Sequence, residues 1–188
     1  MDIGVIAEDQ SDVDVLYELM RKVAPQGGLS FKKWLGHGCG AVRNKCRPWA
    51  ENLLRRGCYR VVVVHDLDTN DELSLRKELS EQMKGLCFAE LLILIPVREI
   101  EAWLLADAEA VKAVFGLRAR PKLPLHPESV PRPKERLRDA VWQSGKKRYV
   151  HTIHNRKIAA AMSLPRLCCC RSFAPYPKFI KSACQAKA

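Results

Sequence analysis

The sequence predicts an α/β fold: a mainly parallel, four-stranded sheet flanked by helices, followed by a helical C-terminal extension. Three observations carry this. Val61, Val62, Val63 and Val64 form an unbroken β-branched run, as expected of a strand buried on both faces. Apolar strand-like runs alternate with helical periodicity through residue 97, the rhythm of a doubly wound sheet. Beyond Pro96 only helical spacing remains. Residues 1–97 are therefore read as the α/β core and 98–188 as a helical extension packed on it, one structural unit.

Each element follows from local signals. Residues 3–7 are a short apolar strand. Val13, Leu16, Leu19, Met20 and Val23 recur at helical spacing over 12–23, with Ser11 as the N-cap and Pro25, Gly27 and Gly28 ending the helix. Residues 29–35 form a second strand. A glycine-rich turn (Gly36, Gly38, Gly40) leads into a basic helix over 41–56 that Gly57 stops. The third strand spans 59–65, a helix over 71–84 ends at Gly85, and 91–97 is the fourth strand. Residues 98–106 read as a helix with Ile100, Trp103 and Leu104 on one face, and a second helical stretch runs to Phe115. Five prolines make 118–133 a loop. Short helices are expected at 133–143, at 155–162 and in the basic C-terminal segment.

The chain has 188 residues, enough for a real core, and a formal net charge of +11. That surplus favours anionic partners, nucleic acid first. No apolar stretch reaches the roughly 18 residues of a membrane span. Met1-Asp2-Ile3 carries no basic leader, so the expected compartment is the cytoplasm, with no membrane partner. Eight cysteines lack a metal-binding rhythm: Cys39 and Cys46 are too far apart for a zinc knuckle, and Cys168, Cys169 and Cys170 are adjacent. Reduced thiols are the expectation. His37 beside Cys39, and the His151-x-x-His154 pair, remain possible ligands.

Asp66-Leu67-Asp68 follows the valine strand directly. Positions i and i+2 of an extended segment project to one side, so both carboxylates can share one hard divalent cation. Glu8 ends the first strand, and parallel strands bring their carboxyl ends to one edge. Asp12, one helical turn after Glu8, can point back to the same space. Asp71 begins the next helix and is a further candidate. The competing reading is N-capping by Asp12, Asp68 and Asp71. It does not explain why Glu8 and Asp66 both end apolar strands.

The pairing of Ala7-Glu8-Asp9-Gln10-Ser11-Asp12 with His65-Asp66-Leu67-Asp68 resembles the TOPRIM fold of topoisomerases, bacterial primases and the overcoming-lysogenization-defect nucleases. That fold places a glutamate after its first strand, often before glycine, and an Asp-x-Asp later; here Asp9 stands at the glycine. The likeness covers about residues 1–97. A group of small stand-alone bacterial TOPRIM-like proteins extends it over most of the chain. It is carried by Pro96-Val97-Arg98-Glu99-Ile100-Glu101-Ala102-Trp103-Leu104-Leu105-Ala106-Asp107, by Pro133-Lys134-Glu135 and by Phe173, with His151 where a lysine is frequent. The resemblance implies Glu101 as a further site carboxylate, Glu8 as general acid or base, a partner ATPase and a role in phage defence.

A metal held by Asp66 and Asp68 would bind a phosphate oxygen and stabilise charge in an in-line displacement. With Glu8 and Asp12 the set could hold one or two Mg²⁺ or Mn²⁺ ions. Arg43, Lys45, Arg47, Arg55 and Arg56 form the densest basic helix and are the expected strand-neutralising residues, or a solvated face. A metal-dependent nuclease acting on DNA or RNA is the leading expectation. A non-catalytic nucleic-acid-binding or regulatory partner of an ATPase is the alternative. A haloacid-dehalogenase-like phosphatase is the third reading, but that motif wants Thr or Val at its fifth position, where Asn70 stands.

Overall fold

The computed structural model describes residues 2–36 and 39–186, Cys39 by its backbone alone. His37 and Gly38, and with them the His37–Cys39 ligand pair, lie outside the described residues. Four strands, β1 (Asp2–Ala7), β2 (Ser30–Leu35), β3 (Arg60–Val64) and β4 (Glu90–Leu94), form one sheet in the order β2-β1-β3-β4. Every pairing is parallel. The connections are α1 (Gln10–Val23), α2 (Cys39–Arg55) and α3 (Glu72–Met83). The chain steps outward from β1 to β2, then returns past β1 to β3. The carboxyl ends of β1 and β3 therefore flank a topological switch point, where open α/β sheets leave a crevice.

The valine run is buried on both sides, as its composition demands. Val62 and Val64 join Ile3, Val5, Ala7 and Leu94 on one face, against Leu16 and Leu19 of α1. Val61 and Val63 join Ile6 and Ile93 on the other, against Cys46, Ala50 and Leu53 of α2 and Leu75 and Leu79 of α3. This is the period-two alternation of a strand, with both faces apolar. Gly57 and Gly85, read as helix stops, take φ of 80° and 81°, which suits a left-handed C-cap.

The C-terminal half supplies α4 (Glu101–Leu104), α5 (Ala108–Phe115), α6 (Pro133–Gly145), α7 (His151–Ala161) and α8 (Pro175–Gln185). It shares the core of the first sheet face: Trp103, Leu137, Ile158, Tyr176 and Ile180 are all fully buried with the α1 residues. Trp103 Nε1 donates to Ser172 Oγ at 2.8 Å, and its ring meets Phe173 edge-on at 5.3 Å. Tyr176 donates its hydroxyl to Leu16 O at 2.7 Å, tying α8 to α1. Among the described residues no helix is long and apolar enough to cross a membrane.

Three local expectations change. The helix expected over 98–106 is only the single turn of α4, because Arg98 adopts φ of 65° and Asp107 opens α5 by accepting from Glu109 N and Ala110 N. Within the proline-rich loop, Pro127–Ser129 form a 3-10 turn. α7 begins at His151 rather than near residue 155, since the one apolar residue of its first turn, Ile153, is 51% exposed and adds no core-facing signal.

Gly4 marks where α2 comes closest to the sheet. A Cβ there would lie 3.0 Å from Leu53 Cδ1, 3.1 Å from Val61 Cγ2 and 3.3 Å from Cys58 Cβ. Gly4→Val should therefore overpack this layer and cost about 1–3 kcal/mol in chemical denaturation. Unchanged stability would mean that α2 yields freely.

Candidate metal centre

Glu8 is the first residue beyond β1, and Asp66 lies two residues beyond β3. Because Ile6 pairs with Val63, the chains leave the sheet side by side. His65, 1% exposed, places Nδ1 3.2 Å from Glu8 Oε1 and 2.7 Å from Asp66 O. The next segment is zipped to the chain beyond β4: His65 N donates to Leu94 O, Leu67 N to Pro96 O and Asp68 N to Arg98 O. Asp68 and Arg98 both hold left-handed backbone, at φ of 49° and 65°. Such backbone costs about 1–2 kcal/mol in a non-glycine residue. It is offset by the Asp68 N–Arg98 O bond of 2.9 Å and the Arg98 Nη1 donation to Asp68 O at 2.8 Å.

Asp9, which stands where the TOPRIM pattern has glycine, is the N-cap of α1. Its side chain accepts from Ser11 N and Asp12 N, and Asp12 Oδ2 accepts from Asp9 N at 3.1 Å. This reciprocal capping box displaces the cap expected at Ser11, which is buried one residue inside the helix. Asp12, 6% exposed, lies in the field of Asp9, Glu101 and Glu8. Glu101 is 3% exposed at the start of α4. Its Oε1 accepts from Tyr149 Oη at 3.3 Å and Asn155 Nδ2 at 3.1 Å, with Lys134 Nζ at 3.8 Å.

Electrostatics identify the members of the cluster. Burial drives the Asp66 carboxyl well above the usual range, and the charges of Asp12, Glu101, Glu8 and Asp68 push it further. Asp12 is raised well above its ordinary value by burial, then by Asp9, Glu101 and Glu8. Glu8 is raised chiefly by burial, against the pull of His65. Burial also raises Glu99, whose Oε2 accepts from Lys134 N at 2.9 Å. Burial and the Glu101 charge hold the Tyr149 phenol protonated.

Five candidates from the sequence thus converge: Glu8, Asp12, Asp66, Asp68 and Glu101. Asp71 does not join them. It is exposed, caps α3 by accepting from Ser74 N at 2.9 Å, and that bond lowers its carboxyl from the ordinary value. His65, Asp9, Lys134, Tyr149 and Asn155 were not singled out as site residues in the sequence. Asp9, His65 and Lys134 lie inside the quoted motifs, and Tyr149 stands two residues before His151.

The donor chemistry fits a hard divalent cation. Asp66 Oδ1 is buried without a hydrogen-bond partner, and Glu8 Oε1 is buried with only the His65 Nδ1 contact at 3.2 Å. Clustered carboxylates with two such oxygens are relieved by a bound cation. The fit is one of charge and donor type: among the described residues no three His, Cys, Asp or Glu side chains form a ready-made cage.

The basic helix divides. Arg43 pairs with Glu78 and donates to Asn70 Oδ1 at 3.3 Å. Arg47 donates to Gln82 O and Lys84 O at 2.9 and 3.0 Å, so both arginines fasten α2 to α3. Lys45, Arg55 and Arg56 are exposed. Arg55 and Arg56 lie at the far edge of the sheet, where Arg56 O accepts from Lys32 Nζ beside Asp2. The histidine pair also separates: His154 stacks on Phe115 at 4.6 Å, while His151 Nε2 lies 3.9 Å from Asp9 Oδ2.

A carboxyl with a raised folded pKa stabilises the fold below its ordinary pKa and loses that contribution as pH rises through the raised value. Asp66→Asn should therefore melt higher than the native chain in metal-free buffer at neutral pH, with the gap closing toward pH 4. Mg²⁺ or Mn²⁺ should raise the native melting point, adding about 2.7 kcal/mol of stability at roughly 100 times Kd. It should leave Asp66→Asn unmoved; equal metal responses would exclude Asp66 as a ligand.

No curated protein and no solved structure matches the chain. One family model does, described as a domain of unknown function (DUF4276), over residues 7–179. That span takes in Glu8, both aspartates after β3, Glu101 and the helices around them, and the chain belongs to this DUF4276 family.

Proposed function

We propose that the protein is a metal-dependent phosphodiester hydrolase acting on DNA or RNA. The observation that carries this reading is the cluster of Glu8, Asp12, Asp66, Asp68 and Glu101 at the switch point, in which Asp12 and Glu101 are buried, the other three are partly buried, and Asp66 Oδ1 has no hydrogen-bond partner. The net charge of +11 and the resemblance of the two motifs to the TOPRIM pattern support it. Glu8, Asp66 and Asp68 would hold one or two Mg²⁺ or Mn²⁺ ions, which supply charge neutralisation and an activated water. Glu8 has a raised carboxyl next to His65 and serves to hold or accept a proton. Tyr149 and Asn155 orient Glu101, and Lys134 supplies a cation at the rim of the cluster.

A second reading is favoured by one observation: several of these acids also do structural work. Asp9 and Asp12 close a capping box, and Glu101 anchors two side chains. On this reading the domain is a non-catalytic nucleic-acid-binding or regulatory partner of an ATPase. The TOPRIM resemblance suggests such a partner, and a role in phage defence, for the hydrolase as well.

The two readings part in a cleavage assay on labelled DNA and RNA with Mg²⁺ or Mn²⁺. Glu8→Ala and Asp66→Ala should each lower cleavage by at least about 10–100-fold, the scale on which groups that orient a metal act. Asp71→Ala should retain cleavage and lose only about 1 kcal/mol of stability with its cap. Full cleavage by both Glu8→Ala and Asp66→Ala would remove the site. Binding without cleavage, alone and with an ATPase partner present, would favour the second reading.

A further inference from the structure

A cleft of about 220 Å³ opens between α6 and the start of α7, lined by Lys134, Arg138, Arg148, Val150 and His151, with Glu135 its one acid. The buried Tyr149 forms part of its wall and also donates to Glu101, so the cleft abuts the carboxylate cluster. Lys134 Nζ lies 3.8 Å from Glu101 Oε1, and His151 Nε2 3.9 Å from Asp9 Oδ2. We propose that this cleft seats a backbone phosphate of a nucleic-acid strand, beside the cluster and on the opposite face of the sheet from α2. The inference rests on the nucleic-acid reading above and names the surface that holds the strand.

The two arginines of the cleft are little committed. Arg148 is exposed and pairs with no carboxylate among the described residues. Arg138 reaches only its neighbour Asp139, at 3.4 Å, and both side chains are more than half exposed, where an ion pair contributes little. α7 presents its N-terminal end here with no side-chain cap, and the helix dipole adds positive potential at that point. A cavity with an unpaired guanidinium, a second held only by an exposed ion pair, an ammonium at its edge and a helix N-terminus is chemically an anion site. It stands beside the acids, so a phosphate held by these cations would also lie within reach of a divalent ion held by the carboxylates.

A polynucleotide fits better than a free phosphate because of Trp142. It lies one helical turn beyond Arg138 on α6 and is 53% exposed, with Lys146 Nζ 5.3 Å from its ring centre. An exposed indole beside a basic track is a stacking platform for bases. By contrast, Arg43 and Arg47 of α2 are spent on α3, and Arg55 and Arg56 face the far edge of the sheet.

The test is fluorescence anisotropy of a short fluorescein-labelled single-stranded DNA, and of the RNA of the same sequence, titrated with the full chain in EDTA across a salt series. Arg138→Ala/Arg148→Ala should lower the slope of log affinity against log salt by about 1.4, two phosphate contacts at about 0.7 each. Trp142→Ala should weaken binding with little change in slope. Both arginines are exposed, so the melting temperature of the double variant should stay at the native value. An unchanged slope in the double variant, or a loss confined to Lys45→Ala/Arg55→Ala/Arg56→Ala, overturns the proposal, as does binding of neither strand by the native chain. Cleft-dependent binding in a protein that cleaves nothing with Mg²⁺, alone and with an ATPase partner present, upholds this site and removes the hydrolase. Cleavage that requires Asp66 together with an unaltered slope in the double variant does the reverse.

Discussion

In the register that pairs Ile6 with Val63, β1 and β3 run side by side and end together, and both the core and the acidic site depend on that pairing. The alternation of their side chains feeds two apolar layers, one under α1 and the C-terminal half, the other under α2 and α3. A slip of one residue would send each valine to the opposite layer, which both cores oppose. The same register sets Glu8 next to His65 and carries Asp66 into the field of Asp12 and Glu101. Packing of the hydrocarbon side chains thus holds like charges together that would otherwise separate.

Gathering those charges raises the energy of the folded chain, and the surrounding bonds show how it is contained. Asp12 closes a capping box, Glu101 accepts from Tyr149 and Asn155, and the Asp68–Arg98 backbone pair locks two left-handed residues. None of these reaches Glu8 Oε1 or Asp66 Oδ1. A buried acceptor without a hydrogen bond is costly, and that cost stays at this end of the sheet.

The C-terminal half is therefore more than a cover for the sheet. It brings Glu101 and Lys134 to the switch point and sets a cationic cleft at the edge of the acids. Negative and positive surfaces in direct contact suit a ligand that carries phosphate and recruits a metal. Trp103, sealed by Ser172 and Phe173, fixes the helix turn that starts at Glu101, so core packing positions a charged group.

The sequence by itself determined the parallel four-stranded sheet, because a run of β-branched residues between helical periods has few other stable arrangements. It also marked Glu8, Asp12, Asp66 and Asp68, since carboxylates just past apolar strands must emerge at one sheet edge. Asp71 looked the same in sequence as the rest, yet the fold leaves it in solvent as a cap, and Asp9 rather than Ser11 caps α1. The strand order, the bonds around Glu101 and the division of the basic helix were decided only in three dimensions. Each depends on which distant side chains meet, and local periodicity carries no record of that. Arg138 and Arg148 carry no signal along the chain and Lys134 only its place in Pro133-Lys134-Glu135; they become one cleft only when α6 and α7 pack beside the acids.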